Sequence, residues 1–213
     1  IFSGAGQSCV SGSRLLIQSS IYNKLTSMIS SGMMSIKLGD PLDDTTEIGP
    51  ISNLKQFNHI QNIIKMAKQE GANVSETSDL PEGGYFISPT VLTNLNNSST
   101  PAQTEIFGPV VTAIPFETED QAITKANDTS FGLAGAVWTN NVGRAHRVAS
   151  KVTAGTFWIN SYKAIHVSSP FGGSLSSGFG RSSGLEALME YTAPKSVWLD
   201  SAETPSISFG YVA

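Results

Sequence analysis

The chain predicts an α/β domain: an open, largely parallel sheet flanked by helices. Three observations carry that expectation. Apolar residues switch repeatedly between a period of two and a period near 3.6 along the chain. The strand-like and helix-like segments alternate rather than cluster, which is the order of βαβ units. And 213 residues with 39% apolar and 14% charged side chains are enough for a real core, with the balance of an ordinary globular chain.

Each element has its own signal. Arg14 to Gln18 (RLLIQ) reads as a short strand. Ile21, Tyr22, Leu25, Met28, Ile29 and Met33 then recur at helical spacing. Leu42 to Pro50 is a polar connection. From Leu54 to Gln69 a second helix places Leu54, Phe57, Ile60, Ile64 and Ala67 on one face, and Gly71 suits its stop. Thr90 to Leu95 and Val110 to Phe116 are β-rich. Thr118 with Gln121 resembles a capping box, so a helix should run from there to about Asn127. Gly135 to Thr139 reads as a strand, Val142 to Val152 as a helix, and Gly155 to Asn160 (GTFWIN) as a β-prone run. A Gly/Ser-rich loop covers Ser168 to Ser183, followed by a short helix near Leu185 to Tyr191, a strand at Ser196 to Leu199 and an extended tail. In parallel sheets, sites gather beyond the C-terminal strand ends, so that is where a site is expected.

Composition excludes several functions. The net charge is −4 and no Lys/Arg cluster occurs, so neither nucleic acid nor an anionic membrane is expected as a partner. No apolar run approaches the length of a membrane span. A single cysteine forms no internal disulfide, and nothing argues for secretion; the expected location is cytoplasmic, where the Asn-x-Ser/Thr triplets at Asn73 and Asn127 carry no meaning. His59, His146 and His166 are scattered without metal-ligand spacing, so no metal is expected. Neither a Gly-x-Gly-x-x-Gly fingerprint nor a Walker A loop is present. The chain opens at Ile1, almost on its most suggestive motif, and is expected to be the tail of something longer.

Three segments can carry chemistry. Gly6-Gln7-Ser8-Cys9 sets glycine beside a thiol, and a thiolate is a strong nucleophile toward carbonyls. The competing reading is a buried structural cysteine. Glu105-Ile106-Phe107-Gly108-Pro109 offers a carboxylate that suits sugar hydroxyls and an aromatic ring for a cofactor, or simply a strand entrance. Asn160, then Ser169-Pro170-Phe171-Gly172-Gly173 and Ser177-Gly178-Phe179-Gly180-Arg181, is a shaped loop over a pocket or an Ω-like surface loop.

Each signal alone is weak, but their order is specific. Gly6-Gln7-Ser8-Cys9 is followed by Gly39-Asp40-Pro41-Leu42, Gly49-Pro50 and Gly84-Tyr85-Phe86-Ile87-Ser88-Pro89-Thr90-Val91. Glu105-Ile106-Phe107-Gly108-Pro109-Val110, Ala126-Asn127, Phe131-Gly132-Leu133-Ala134, Ala154-Gly155-Thr156, Asn160 and Pro170-Phe171-Gly172-Gly173 complete the series. This succession resembles the aldehyde dehydrogenase superfamily, from its catalytic cysteine to the C-terminus, over nearly the whole chain.

The resemblance implies oxidation of a small-molecule aldehyde to a carboxylic acid with NAD or NADP. Cys9 would attack the aldehyde to give a thiohemiacetal, with its own backbone N–H as one oxyanion donor. Hydride transfer to the nicotinamide would leave a thioester for water to hydrolyse. Glu105 would bind the nicotinamide ribose and Phe107 would contact the ring region. Phe171, Ser8 and Val10 would line the aldehyde pocket, and Asn160 would organise the site. Residues 1–192 would be the catalytic domain. Residues 193–213 would supply an oligomerisation strand and tail, pairing subunits into a homodimer or homotetramer.

The chain departs from the family pattern at Leu175, where many members have lysine, and at Ser182, where many have glutamate. Gln103 and Thr104 stand where an acidic residue is common. These positions blur the subfamily rather than the function. The family's N-terminal dinucleotide-binding domain, its Glu-Leu-Gly-Gly segment with the general base, and the asparagine completing the oxyanion hole do not occur in these 213 residues. Three alternatives follow: an assembly module without activity of its own, a CoA-acylating aldehyde dehydrogenase, and a thiol hydrolase or acyltransferase using Cys9 without nicotinamide.

Overall fold

Side-chain alternation along two adjacent strands decides how the layers stack. In the computed structural model, which describes residues 1–77, 79–201 and 203–204, β3 (Thr90–Thr93) and β4 (Val110–Phe116) run parallel with Val91 opposite Val111. Leu92 and Val110 point to one face, where they join Ile60, Ile63, Ile64 and Ala67 of helix α2 (Leu54–Gln69). Val91 and Val111 point to the other, where they meet Met33 at the end of α1 (Tyr22–Met33). A strand buried on both faces is predominantly apolar, and β4 reads VVTAIPF, with Thr112 its one polar residue.

The four-stranded sheet has the order β1-β4-β3-β2, with β1 spanning Arg14–Gln18 and β2 Asn73–Glu76. β1 and β3 flank β4 in parallel, whereas β2 is antiparallel to β3 at the edge. A second, parallel pair joins β5 (Ala134–Val137) to β6 (Thr156–Ile159). The sheet is therefore mixed. Short helices α3 (Thr100–Gln103), α4 (Glu119–Asn127), α5 (Val142–Lys151) and α6 (Ala187–Glu190) complete the order.

Local hydrogen bonds fix several helix ends, among them the expected ones at Gly71 and Thr118. The Asn53 side chain caps α2 by accepting from the Gln56 N–H at 2.9 Å. At the other end Gly71 takes φ +92°, and Ala72 N–H returns to Ala67 O at 2.9 Å. Thr118 caps α4 through the Gln121 N–H, while the Gln121 side chain reaches back to Glu117 N–H rather than to Thr118. β3 stops at Thr93, short of Leu95, because Asn94 turns the chain at φ +61°.

Other expectations need correction. The apolar face read for α1 is not wholly inside. Met28 is exposed, and Thr26 is buried instead, its hydroxyl donating to Tyr22 O at 2.8 Å. β2 and α3 have no counterpart among the expected elements. Ser196 to Leu199, read as a strand, has no regular structure: sheet hydrogen bonds need a partner edge, and no strand in this chain offers one to it among the described residues. Most of the expected tail lies outside the described residues.

Candidate active site

Cys9 sits in a turn closed by Ser11 N–H to Ser8 O at 2.9 Å, directly ahead of β1, and it is exposed. This removes the reading of a buried structural cysteine. Val10 beside it is buried and Ser8 half-buried. The turn is reached through a short 3-10 segment, Ser3–Gly6, whose last residue has φ +67°.

Gly6 explains how the first two candidate segments meet. A Cβ on Gly6 would lie 2.0 Å from Gly108 O, so only glycine lets these backbones touch. β1 and β4 are parallel neighbours, and Thr112 N–H bonds to Ser13 O at 2.8 Å as they begin. The segments just ahead of them, the Cys9 turn and Glu105 to Pro109, are thereby placed side by side. The two lie at N-terminal strand ends, not beyond C-terminal ends as expected. Strand pairing, rather than a helical crossover, brings them together.

Within the second segment Phe107 has φ +52°, a region bulky residues rarely occupy. Its surroundings hold it there. Gln56 Nε2 donates to Ile106 O at 2.9 Å and to Phe107 O at 3.1 Å. Gly108 packs so closely on α2 that a Cβ would meet Ile60 Cδ1 at 2.6 Å. Ile106 is buried as the anchor, while Glu105 is exposed and Phe107 keeps 37% of its surface in solvent. His59 Nε2 lies 3.4 Å from Glu105 O. On the same side of α2, an open depression of about 630 Å³ is lined by Leu54, Lys55, Asn58, His59 and Asn62.

The third segment is held by contacts of its own. Asn160, at φ +51°, binds Thr139 in both directions: Thr139 N–H donates to Oδ1 at 2.8 Å and Nδ2 donates to Thr139 O at 3.0 Å. Phe171 pairs with Ser182 through two backbone hydrogen bonds of 2.7 and 2.8 Å. The loop is strapped down by Ser174 N–H to Gly132 O and by Arg181 to Gly173 O, so it does not behave as a free Ω-loop. Among the described residues no hydrogen bond joins Asn160 or Phe171 to the Cys9 turn.

The bridge between the regions is Tyr162, which sequence reasoning passed over. Its hydroxyl would be 3.2 Å from a Cβ on Gly12, so it lies on the strand entrance three residues after Cys9. Trp158 and Trp138 back it, with ring centroids 4.9 and 6.1 Å away. Burial pushes its hydroxyl above the ordinary phenolic range. Arg14 anchors the other side of β1. Its guanidinium donates to Asn97 Oδ1 and to the carbonyls of Lys125 and Ala126 at the end of α4. No group of three or more His, Cys, Asp or Glu residues is arranged to hold a metal among the described residues.

Comparison with known proteins finds relatives over nearly the whole chain. Residues 1–197 match the model of the aldehyde dehydrogenase family. A (Z)-2-((N-methylformamido)methylene)-5-hydroxybutyrolactone dehydrogenase of Acinetobacter baylyi is 42% identical over 207 residues, covering 96% of this chain and 42% of the relative. A betaine aldehyde dehydrogenase of Brucella anthropi is 38% identical over 96% of this chain and 43% of its own length. The crystal structure of betaine aldehyde dehydrogenase from Staphylococcus aureus in complex with NAD+ superimposes with a TM-score of 0.85 at 43% identity, over 88% of this chain and 38% of that one. An aldehyde dehydrogenase from Bacillus cereus gives a TM-score of 0.88 at 41% identity, over 92% and 40% of the two chains. The chain thus spans about two fifths of the length of these relatives.

Proposed function

The chain belongs to the aldehyde dehydrogenase family, and we propose that it supplies the thiol side of an enzyme oxidising a small-molecule aldehyde to a carboxylic acid with NAD or NADP. The observation that carries this is the exposed Cys9 turn locked, through Gly6 against Gly108, to the loop bearing Glu105 and Phe107.

Cys9 attacks the carbonyl carbon as a thiolate, forming a C–S bond and a thiohemiacetal. Its backbone N–H is one donor to the developing oxyanion. A nicotinamide cofactor, held on this chain by Glu105 and Phe107, would supply the hydride acceptor, so that loss of hydride from the former aldehyde carbon leaves the acyl group on sulfur as a thioester. Water then adds to the thioester, and the thiolate departs as the acid is released. Glu105 and Phe107 suit the nucleotide: the carboxylate is exposed to solvent and can accept hydrogen bonds from ribose hydroxyls, and the half-open Phe107 ring stands on a backbone held at φ +52°. Ser8, Val10 and Phe171 line the aldehyde side. Asn160 organises the site at a distance, through its grip on Thr139.

The intact enzyme carrying this chain should form reduced nicotinamide from an aldehyde, and Cys9→Ala should lower that rate by at least about 10⁴-fold. Retention of full activity by the variant would remove Cys9 from the mechanism. The exposed run of Val197, Trp198 and Leu199 supports a further part of the reading, that residues 193–213 pair subunits into a homodimer or homotetramer.

A further inference from the structure

Gln7 lies two residues before Cys9, yet its side chain leaves the turn. Its Oε1 accepts from the Ser52 N–H at 2.9 Å and its Nε2 donates to Pro50 O at 3.4 Å. Ser52 abuts Asn53, the cap of α2, whose side chain holds the Gln56 N–H. Gln56 then binds the carbonyls of Ile106 and Phe107. A run of amide contacts therefore passes from the Cys9 turn, through the first turn of α2, to the loop bearing Glu105 and Phe107. The loop returns to the Cys9 turn through Gly108 and Gly6.

Three segments remote in sequence are thus joined along all three edges of a triangle. Strand pairing of β1 with β4 and the contact of Gly6 with Gly108 set the turn beside the loop. The two glutamine edges tie both segments to the start of α2 and so restrict the play left in the residues ahead of the strands. Reactions between positioned groups are sensitive to such freedom, since a displacement of about 1 Å can slow them about 10²-fold.

We propose that Gln7 and Gln56 are positioning residues that act as one unit, holding Cys9 in register with the Glu105–Phe107 loop. This rests on the reading of Cys9 as nucleophile and of that loop as the nucleotide side. Neither glutamine need touch the reacting atoms.

The test uses the intact enzyme carrying this chain, with single-turnover hydride transfer, cofactor affinity, thermal midpoint and hydrogen exchange measured for each variant. Gln7→Ala should slow hydride transfer roughly tenfold, with the cofactor Kd within about twofold and the midpoint within about 2 °C of the parent. Gln7→Glu keeps the acceptor for Ser52 N–H and should recover the rate to within about threefold. Gln56→Ala should also slow the step, and the double variant should be no slower than the slower single, because residues of one unit do not contribute independently. Unaltered hydride transfer in Gln7→Ala, or losses that multiply in the double variant, would overturn the proposal. Exchange separates this outcome from failure of the dehydrogenase reading. Gln7→Ala should speed exchange of the Ser52 and Ser11 amides about tenfold, and Gln7→Glu should not. If that holds while the parent oxidises no aldehyde, the positioning unit stands and the assigned chemistry falls. Unchanged exchange in Gln7→Ala overturns the unit whatever the chemistry.

Discussion

The sheet body and the C-terminal stretch treat their apolar side chains in opposite ways. In the body, Ile17, Met33, Ile60, Leu92, Ile106 and Ile114 are fully buried, and the sheet is covered on both faces. Beyond Trp158 no hydrophobic side chain is buried among the described residues. Phe179 is wholly exposed, Trp198 is 82% exposed and Leu199 90%. The body closes its own core. The stretch leaves its apolar side chains in solvent. Cys9, Glu105 and Phe107 lie on the body and Asn160, Tyr162 and Phe171 on the stretch, and Tyr162 over Gly12 is a contact between the two.

Substitutions can break this contrast in order of size. Gly6→Ala places a methyl group on Gly108 O in a left-handed conformation, and urea unfolding should show a loss of about 4 kcal/mol or more. Ile60→Ala leaves a void between α2 and the sheet and should lose about 3 kcal/mol by the same measurement. Trp198→Ser should change unfolding by no more than about 0.5 kcal/mol, yet shift sedimentation toward smaller species. Unaltered assembly would make that strip ordinary surface.

The smallest effect is electrostatic and depends on pH. Glu119 of α4 binds Arg147 and Arg144 of α5, and the Arg147 hydrogen bonds first, then the two positive charges, lower its carboxyl from 4.5 to about 2. A lowered folded-state value means the contribution is fully present above the unfolded value and vanishes as pH falls through about 2. The midpoint gap between the parent and Glu119→Gln should therefore be constant above about pH 5 and close progressively from about pH 4.5 downward. The gap should be small throughout, because solvent screens the pair.

Legibility from sequence followed the range of the cause. β4 and α2 are readable because burial imposes its pattern on consecutive residues, and Gly71 marks an end by local hydrogen bonding. β2 is not, because a four-residue edge strand reading NVSE sets a single apolar side chain, Val74, against the core, too little for a period to show. The one-turn α3 left a faint mark, Ser99 and Thr100 before Pro101, that was passed over. Among site residues, the motif order located Cys9, Glu105 and Phe107, but nothing local announces that Gly6 touches Gly108 or that Tyr162 covers Gly12. Gln56 had a weak signal, an amide three residues after a capping Asn. Its destination 50 residues away is fixed only by the fold.

The two-way grip of Asn160 on Thr139 has a further consequence. Parallel strands normally end in a fringe of unpaired backbone groups, and a chain leaving that fringe swings in many directions. Here the Asn160 main-chain N–H bonds to Val137 O while its side chain occupies both hydrogen-bonding groups of Thr139. The side-chain amide thus impersonates one more residue of the ladder, and the true backbone is released at φ +51° from a rigid post. The departure angle of the segment leading to Tyr162 is fixed by the ladder itself as well as by the segment's own contacts.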